Sequence, residues 1–124
     1  MQYMLLVYTD PELKAKLPPE EFTVKMRDCI RHSDDQKSQG KLLMCQQLEP
    51  VAAARTVRVR SGRAAVLDGP FAETKEMLAG FNLIEADSME EAVRMAHELP
   101  WTAYGSIEVR PVGDFEAMRR RVGA

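Results

Sequence analysis

The order of strand-like and helix-like segments constrains the fold of this 124-residue chain more than any other feature. Residues 3–8 (YMLLVY) form a continuous apolar run of strand length, which is typical of a buried central strand. After an irregular, proline-rich connector, a helix is predicted to begin at Pro19 and to end before Gly40. The three- and four-residue spacing of its apolar and small side chains predicts an inward stripe of Phe22, Met26, Cys29, Ile30 and Ser33.

The second half of the chain repeats this plan. Three further strands are predicted at residues 41–49 (KLLMCQQLE), 80–86 (GFNLIEA) and 106–112 (SIEVRPV). Ser88 and Glu91 form a capping-box pattern that starts a second helix, and Pro100 stops it. The inward stripe of that helix would be Ala92, Met95, Ala96 and Leu99. The segments RTVRVR and RAAVLD flank a Ser-Gly turn and predict a β-hairpin, and DFEAMRRRV predicts a short terminal helix.

Without the hairpin, the order is strand, helix, strand, strand, helix, strand. Two crossover helices on one face predict a ferredoxin-like α+β sandwich with an inserted hairpin and a short C-terminal helix. No linker or low-complexity tract interrupts residues 1–124, so we expect one domain. The other sheet face has no helix to cover it, and large exposed apolar patches are rare on monomers. The fold therefore predicts a homodimer that packs through its sheets.

Charge and cysteine content exclude several classes of function. The formal net charge of -2 gives no electrostatic reason to expect a nucleic acid or an anionic membrane as partner. The apolar N-terminal run is too short to span a bilayer. Cys29 and Cys45 do not have a metal-ligand spacing, so we expect no metal and no cofactor, and a reduced, cytoplasmic protein.

The segment LDGPFAETKE, residues 67–76, combines turn residues with a string of charges. Asp68 can accept hydrogen bonds from backbone N–H groups, and Gly69 tolerates backbone angles that other residues avoid. Pro70 restricts the φ angle at the next position. Residues 72–76 could then form one helical turn. One interpretation is a structural loop cap with Phe71 anchored in the core. The other is a ligand-facing loop in which the Asp68 carboxylate acts as a general base in a cleft.

Other polar residues have two open interpretations each. Glu73, Thr74 and Lys75 could contact a ligand, together with Gly69, Pro70 and Phe71, or could form a solvated surface. His32 could exchange protons near neutrality, or could simply bond water or Asp35. Strand alternation places Arg58 and Arg60 opposite Val57 and Val59. Arg58 could then bind a carboxylate or another anion, or form the solvated face of the hairpin.

The string from Asp68 to Glu76, with GFNLIEA and SIEVRPV after it and LEPVAAARTVRVR before it, resembles the YCII-related family in its DGPF-containing branch. The resemblance runs from the first strand to Val112. It implies a ferredoxin-like chain that dimerises into an α/β barrel. Some relatives look like acid–base enzymes, and some DGPF proteins are encoded near, or fused to, alternative sigma factors.

Enzymatic members of the family place a histidine, paired with an aspartate, on the first helix. That position falls at about Cys29 in this chain, and His32 lies one turn further on. Two hypotheses follow from the resemblance. The first is a non-catalytic dimeric module that binds a small molecule or a partner beside the 68–76 segment, with a link to sigma-factor-associated transcription. The alternative is a cofactor-independent lyase, isomerase or dehydrochlorinase that uses Asp68 with a first-helix residue such as His32.

Overall fold

The computed structural model describes residues 1–124 and contains six strands and four α-helices. In chain order they are β1 (Gln2–Thr9), α1 (Pro11–Ala15), α2 (Pro19–Ser38), β2 (Leu42–Gln47), β3 (Arg55–Arg60), β4 (Arg63–Asp68), β5 (Met77–Glu85), α3 (Met89–His97), β6 (Gly105–Pro111) and α4 (Phe115–Val122). Short 3₁₀ helices occupy Val51–Ala53 and Pro100–Tyr104. None of the α-helices is both long enough and apolar enough to cross a membrane.

Four strands form one antiparallel sheet in the order β2-β5-β1-β6. With the hairpin set aside, this is the second, third, first and fourth strand of a βαββαβ chain. The two central strands are therefore the first and third, as the ferredoxin-like fold requires. The predicted fold class is confirmed.

The core lies on the sheet face that α3 covers. Strict alternation along β1 buries Tyr3, Leu5 and Val7, while the residues between them are only partly buried. The buried set from the second half of the chain consists of Ile84, Ala86, Ala92, Met95, Ala96, Leu99 and Trp101. The predicted stripe of the second helix is thus confirmed. Its N-terminus is held by Ser88, whose Oγ accepts the Glu91 N–H at 3.1 Å.

Helix α2 begins at Pro19 and ends just before the Gln39-Gly40 pair, as predicted. None of its twenty residues is fully buried. Phe22, Met26 and Cys29 contact the edge of the core, whereas Ile30 of the predicted stripe is 54% exposed. The helix therefore does not seal against the sheet over its whole length, because a cleft separates the two.

Two local predictions were wrong. The proline-rich connector contains helix α1, because Asp10 caps it and Pro11 occupies its first position. Residues 69–76 form bends rather than a helical turn, and β5 begins directly after them at Met77. The hairpin, by contrast, has the predicted strands β3 and β4. Ser61 and Gly62 both have positive φ, 51° and 75°, which a tight two-residue turn requires.

Candidate functional site

A cleft of about 240 Å³ lies between α2 and the β1-β5-β2 part of the sheet. Helix α2 contributes Met26, Cys29, Ile30 and Ser33 to it. The strands contribute Val7, Thr9, Cys45, Gln46, Gln47, Ala79, Gly80, Phe81 and Asn82, and the end wall consists of Lys14, Leu99 and Trp101. Nine of these sixteen residues are hydrophobic. A mainly apolar wall with a few converging polar groups is the usual character of a small-molecule site.

Several of the residues that line the cleft are small, which helps to keep it open. Cys29 and Ser33 on α2 lie across from Thr9, Ala79 and Gly80 on the strands, where larger side chains would fill the space. At Gly80 a Cβ atom would meet the carbonyl oxygen of Gln46 at 2.7 Å. A side chain at this position is therefore excluded by the close approach of β2 to β5.

Burial raises the pKa of the Cys29 thiol above its ordinary value, and the nearby Cys45 raises it further. Hydrogen bonds with the side chains of Trp101 and Ser33 lower the pKa, but the effect of burial is larger than either, so the net shift is upward. Cys29 is therefore a protonated thiol at neutral pH. In this state it supplies neither a base nor a thiolate nucleophile to the cleft.

A second cavity of about 510 Å³ adjoins the cleft and shares Thr9, Lys14, Gln47 and Ala79 with it. Asp10 follows Thr9 directly, and its side chain is only 4% exposed. Its Oδ1 accepts the Glu12 N–H at 2.9 Å, and its own N–H donates to the Tyr104 carbonyl at 2.7 Å. Sequence reasoning missed this buried acid. The available signal was an Asp-Pro pair at the end of an apolar strand, a typical helix start.

Asp68, the predicted catalytic residue, lies outside both cavities at the end of β4. Its side chain is 89% exposed, and its Oδ1 lies 3.0 Å from the Nε atom of Arg55. The next residue, Gly69, has a φ of +86°, and its N–H donates to the Ala54 carbonyl at 2.8 Å. Its own carbonyl accepts the hydroxyl of Thr56 at 2.9 Å. Asp68 thus forms an ion pair with an arginine, and its carboxylate accepts no hydrogen bond from the N–H groups of its own loop.

The remaining residues of the 68–76 segment are mostly exposed. Phe71 is 77% exposed, so its interpretation as a core anchor is wrong. The Thr74 hydroxyl donates to the Glu76 carbonyl at 2.5 Å. Lys75 approaches buried Asp10, with Nζ 3.8 Å from Oδ2. Pro70 is partly buried and Glu73 is exposed. Ligand contacts for this segment stay a prediction.

His32 and Asp68 have different partners and form no ion pair with each other. The Nε2 atom of His32 lies 2.9 Å from Glu98 Oε2 in the loop after α3, rather than beside Asp35 as one interpretation expected. Arg58 is partly buried, lies opposite Ala65 in the hairpin, and has no carboxylate within 4.0 Å. No group of three or more His, Cys, Asp or Glu side chains is arranged to hold a metal ion.

Comparison with known proteins identifies one family. The model of the YCII-related domain matches residues 1–116. An uncharacterized protein of Rhizobium meliloti (strain 1021) is 41% identical over 116 residues, covering 90% of this chain and 92% of that protein. A shorter match, 39% over 62 residues, is to the small ribosomal subunit protein eS6 of Hyperthermus butylicus. It covers 44% of this chain and 29% of that protein, too little to carry a functional argument.

Among solved structures, the chain is similar to 5-chloro-2-hydroxyhydroquinone dehydrochlorinase (TftG) of Burkholderia phenoliruptrix AC1100, in complex with 2,5-dihydroxybenzoquinone. The TM-score is 0.54 at 15% identity, and the match covers 94% of this chain and 98% of that one. At this identity the likeness supports the fold alone.

Proposed function

The chain belongs to the YCII-related family, and from that premise we propose that it is a homodimeric protein that binds a small single-ring molecule in the cleft under α2. The observation that carries the proposal is the cleft itself. Helix α2 has no fully buried residue, and part of its inner face borders a cavity of about 240 Å³. An engineered apolar cavity of about 150 Å³ holds benzene, so this cleft has room for a substituted ring.

The chemistry of the cleft supports binding more than catalysis. Its titratable thiols, Cys29 and Cys45, face no carboxylate or imidazole among the lining residues. General acid–base catalysis needs a proton donor or acceptor within hydrogen-bond reach of the substrate. The dihydroxybenzoquinone bound to the fold neighbour is a further reason to propose a ring-shaped ligand.

The homodimer follows from the uncovered apolar surfaces. On β1, Met4, Leu6 and Tyr8 alternate with the buried residues and so point away from α3. The register sets Met4 beside Leu83 and Tyr8 beside Leu78 of β5, which extends an apolar face across the two central strands. The hairpin adds Val57, Val59 and Val66 on one of its faces, at 58–73% exposure. A second copy packed on these surfaces would remove them from water.

A second candidate function is a cofactor-independent dehydrochlorinase-like enzyme. The fold match to a dehydrochlorinase favours it, together with the free Oδ2 of exposed Asp68. In this proposal Asp68 and His32 act as acid and base, and a second copy brings new groups to Asp68. A role beside sigma factors is a further proposal that rests on the DGPF resemblance alone.

The test of the cleft uses its own reporter, because Trp101 is the one tryptophan of the chain and lies in the wall. Single-ring hydroxybenzenes and hydroxybenzoates are titrated by calorimetry and by Trp101 fluorescence. Ser33→Leu fills the cleft and should abolish both signals. Ser38→Leu, on the exposed last turn of the same helix, should leave them intact. Equal binding by wild type and Ser33→Leu would refute the proposed location.

A further inference from the structure

The cleft contains one ionised side chain, and it is a lysine. Among its sixteen lining residues there is no aspartate, glutamate, arginine or histidine, so Lys14 alone carries charge at neutral pH. Lys14 is partly buried at the junction of the cleft and the adjoining cavity, and lines both. Any molecule that fills the cleft from the junction inward meets this ammonium group.

Two aromatic rings lie beside the ammonium group of Lys14. Nζ of Lys14 lies 5.5 Å from the ring centroid of Trp101 and 5.8 Å from that of Phe22. The rings are themselves 6.2 Å apart and tilted by 40°. Cation–π contacts of this kind restrict a long, flexible side chain to one region without neutralising its charge.

No carboxylate of the protein neutralises Lys14. It takes part in none of the six ion pairs formed within 4.0 Å. Glu12 of the same helix makes no ion pair with Lys14, and Asp10, which caps the helix, has its Oδ2 directed to Lys75 instead. Glu49 lines the adjoining cavity but not the cleft, and it also makes no ion pair with Lys14.

A partly desolvated cation without a partner favours an anionic ligand over a neutral one of the same shape. The neighbouring groups of the cleft complete such a site. Thr9, which is 7% exposed, and Asn82 can hydrogen-bond ring substituents, and the indole of Trp101 provides an aromatic wall.

We infer that the cleft selects a single-ring aromatic monoanion, a benzoate or phenolate, whose charged group lies against Lys14 and whose ring extends along the wall formed by Trp101. This inference rests on the proposed binding function and adds the class of ligand. A cationic ring is disfavoured by the same lysine.

The test compares 2,5-dihydroxybenzoate with 2,5-dihydroxybenzamide, which have nearly the same shape and differ in charge. Wild type should bind the benzoate at least tenfold more tightly in calorimetric titrations. Lys14→Met keeps the length and ring contacts of the side chain and should bind both probes with the Kd that wild type has for the amide. Lys16→Met, two residues along on the exposed surface, should keep the wild-type preference.

The outcomes separate the two levels of the proposal. Equal affinity of wild type for both probes, or an unchanged preference in Lys14→Met, would overturn the ligand class while leaving the cleft as a binding site. Failure of both probes to bind wild type would overturn the proposed function and the ligand class together. An unchanged melting temperature of Lys14→Met establishes that any lost preference comes from the missing charge.

Discussion

Lys75 and Asp10 connect the 68–76 segment to the end of the first central strand: Nζ of Lys75 lies 3.8 Å from Oδ2 of Asp10. The lysine is 81% exposed, whereas the aspartate side chain is 4% exposed. One oxygen of the buried carboxylate thus accepts a hydrogen bond from the helix that it caps, and the other faces the exposed ammonium group of Lys75. The contact sets the segment beside the cavity that adjoins the cleft.

Asp10 should contribute to stability mainly as a helix cap. We expect Asp10→Ala to lower the free energy of unfolding by about 1–2 kcal/mol, because it leaves the Glu12 N–H without an acceptor. Asp10→Asn keeps an oxygen acceptor and should cost less. Urea denaturation measures both. Asp114→Ala is the matched control, since it removes a similar cap from the exposed helix α4 and should cost less than Asp10→Ala. Equal losses for Asp10→Asn and Asp10→Ala would show that the charge matters more than the cap.

Gly69 should be needed for its backbone conformation and not for space. Its φ is +86°, and a Cβ atom would meet nothing within 4 Å, so Gly69→Ala should destabilise by about 1–2 kcal/mol through backbone strain alone. Gly113→Ala is the control, because Gly113 has equally open surroundings without a positive φ, and it should be neutral. Lys75→Ala should cost less than Gly69→Ala, since it removes an exposed charge. Equal melting temperatures for Gly69→Ala and Gly113→Ala would contradict the assignment.

The fold was predictable because local signals agree with the tertiary structure. Ser88 and Glu91 start α3, the Ser-Gly pair turns the hairpin, and the apolar run at residues 3–8 lies in the centre of the sheet. Helix α1 was missed because its five residues carry no periodicity, and the cap that starts it is a single aspartate.

The site was less predictable. A cleft is a gap between secondary-structure elements. The small residues that border it, such as Ser33, Ala79 and Gly80, form no sequence pattern that predicts it. The string of charged residues favoured the 68–76 segment as the site. Lys14, the one charged residue of the cleft, is one of several lysines in the predicted connector, and nothing in the sequence distinguishes it from the others. Lys14 lies beside aromatic rings only because the fold brings Phe22 and Trp101 together. These two residues are far apart in sequence, so their proximity could not be predicted from local patterns.

Cys29 should make the protein less stable at alkaline pH. Its folded-state pKa is raised above 9.0 by burial, so the unfolded chain loses this proton first as the pH rises. The contribution to stability is complete below the ordinary thiol pKa and is lost as the pH increases through the raised value. Cys29→Ser should therefore flatten the fall in unfolding free energy above about pH 9, whereas Cys45→Ser, which keeps Cys29, should retain most of it. Parallel curves for wild type and Cys29→Ser would contradict this prediction.

The dimer should depend on the face of the sheet opposite α3. Light scattering should give twice the 14.0 kDa chain mass for wild type and the single-chain mass for Leu6→Asp, because a carboxylate cannot be buried against a second apolar sheet without a partner. Val24→Asp, on the exposed surface of α2, should stay dimeric. A monomeric wild type at micromolar concentration would overturn the proposed assembly.

Asp68 distinguishes the two candidate functions. Its ion pair with Arg55 is exposed, so Asp68→Asn should change the unfolding free energy by less than about 1 kcal/mol. The binding proposal predicts that this variant still binds a single-ring ligand with wild-type affinity, because Asp68 lines neither the cleft nor the adjoining cavity. The enzyme proposal predicts the opposite. Asp68 shares its hairpin face with Val57 and Val66, so a second copy that covers the valines also covers the carboxylate. Loss of binding, or of chloride release from a chlorinated hydroquinone, in a folded and dimeric Asp68→Asn variant would place Asp68 in an active site completed by the partner chain.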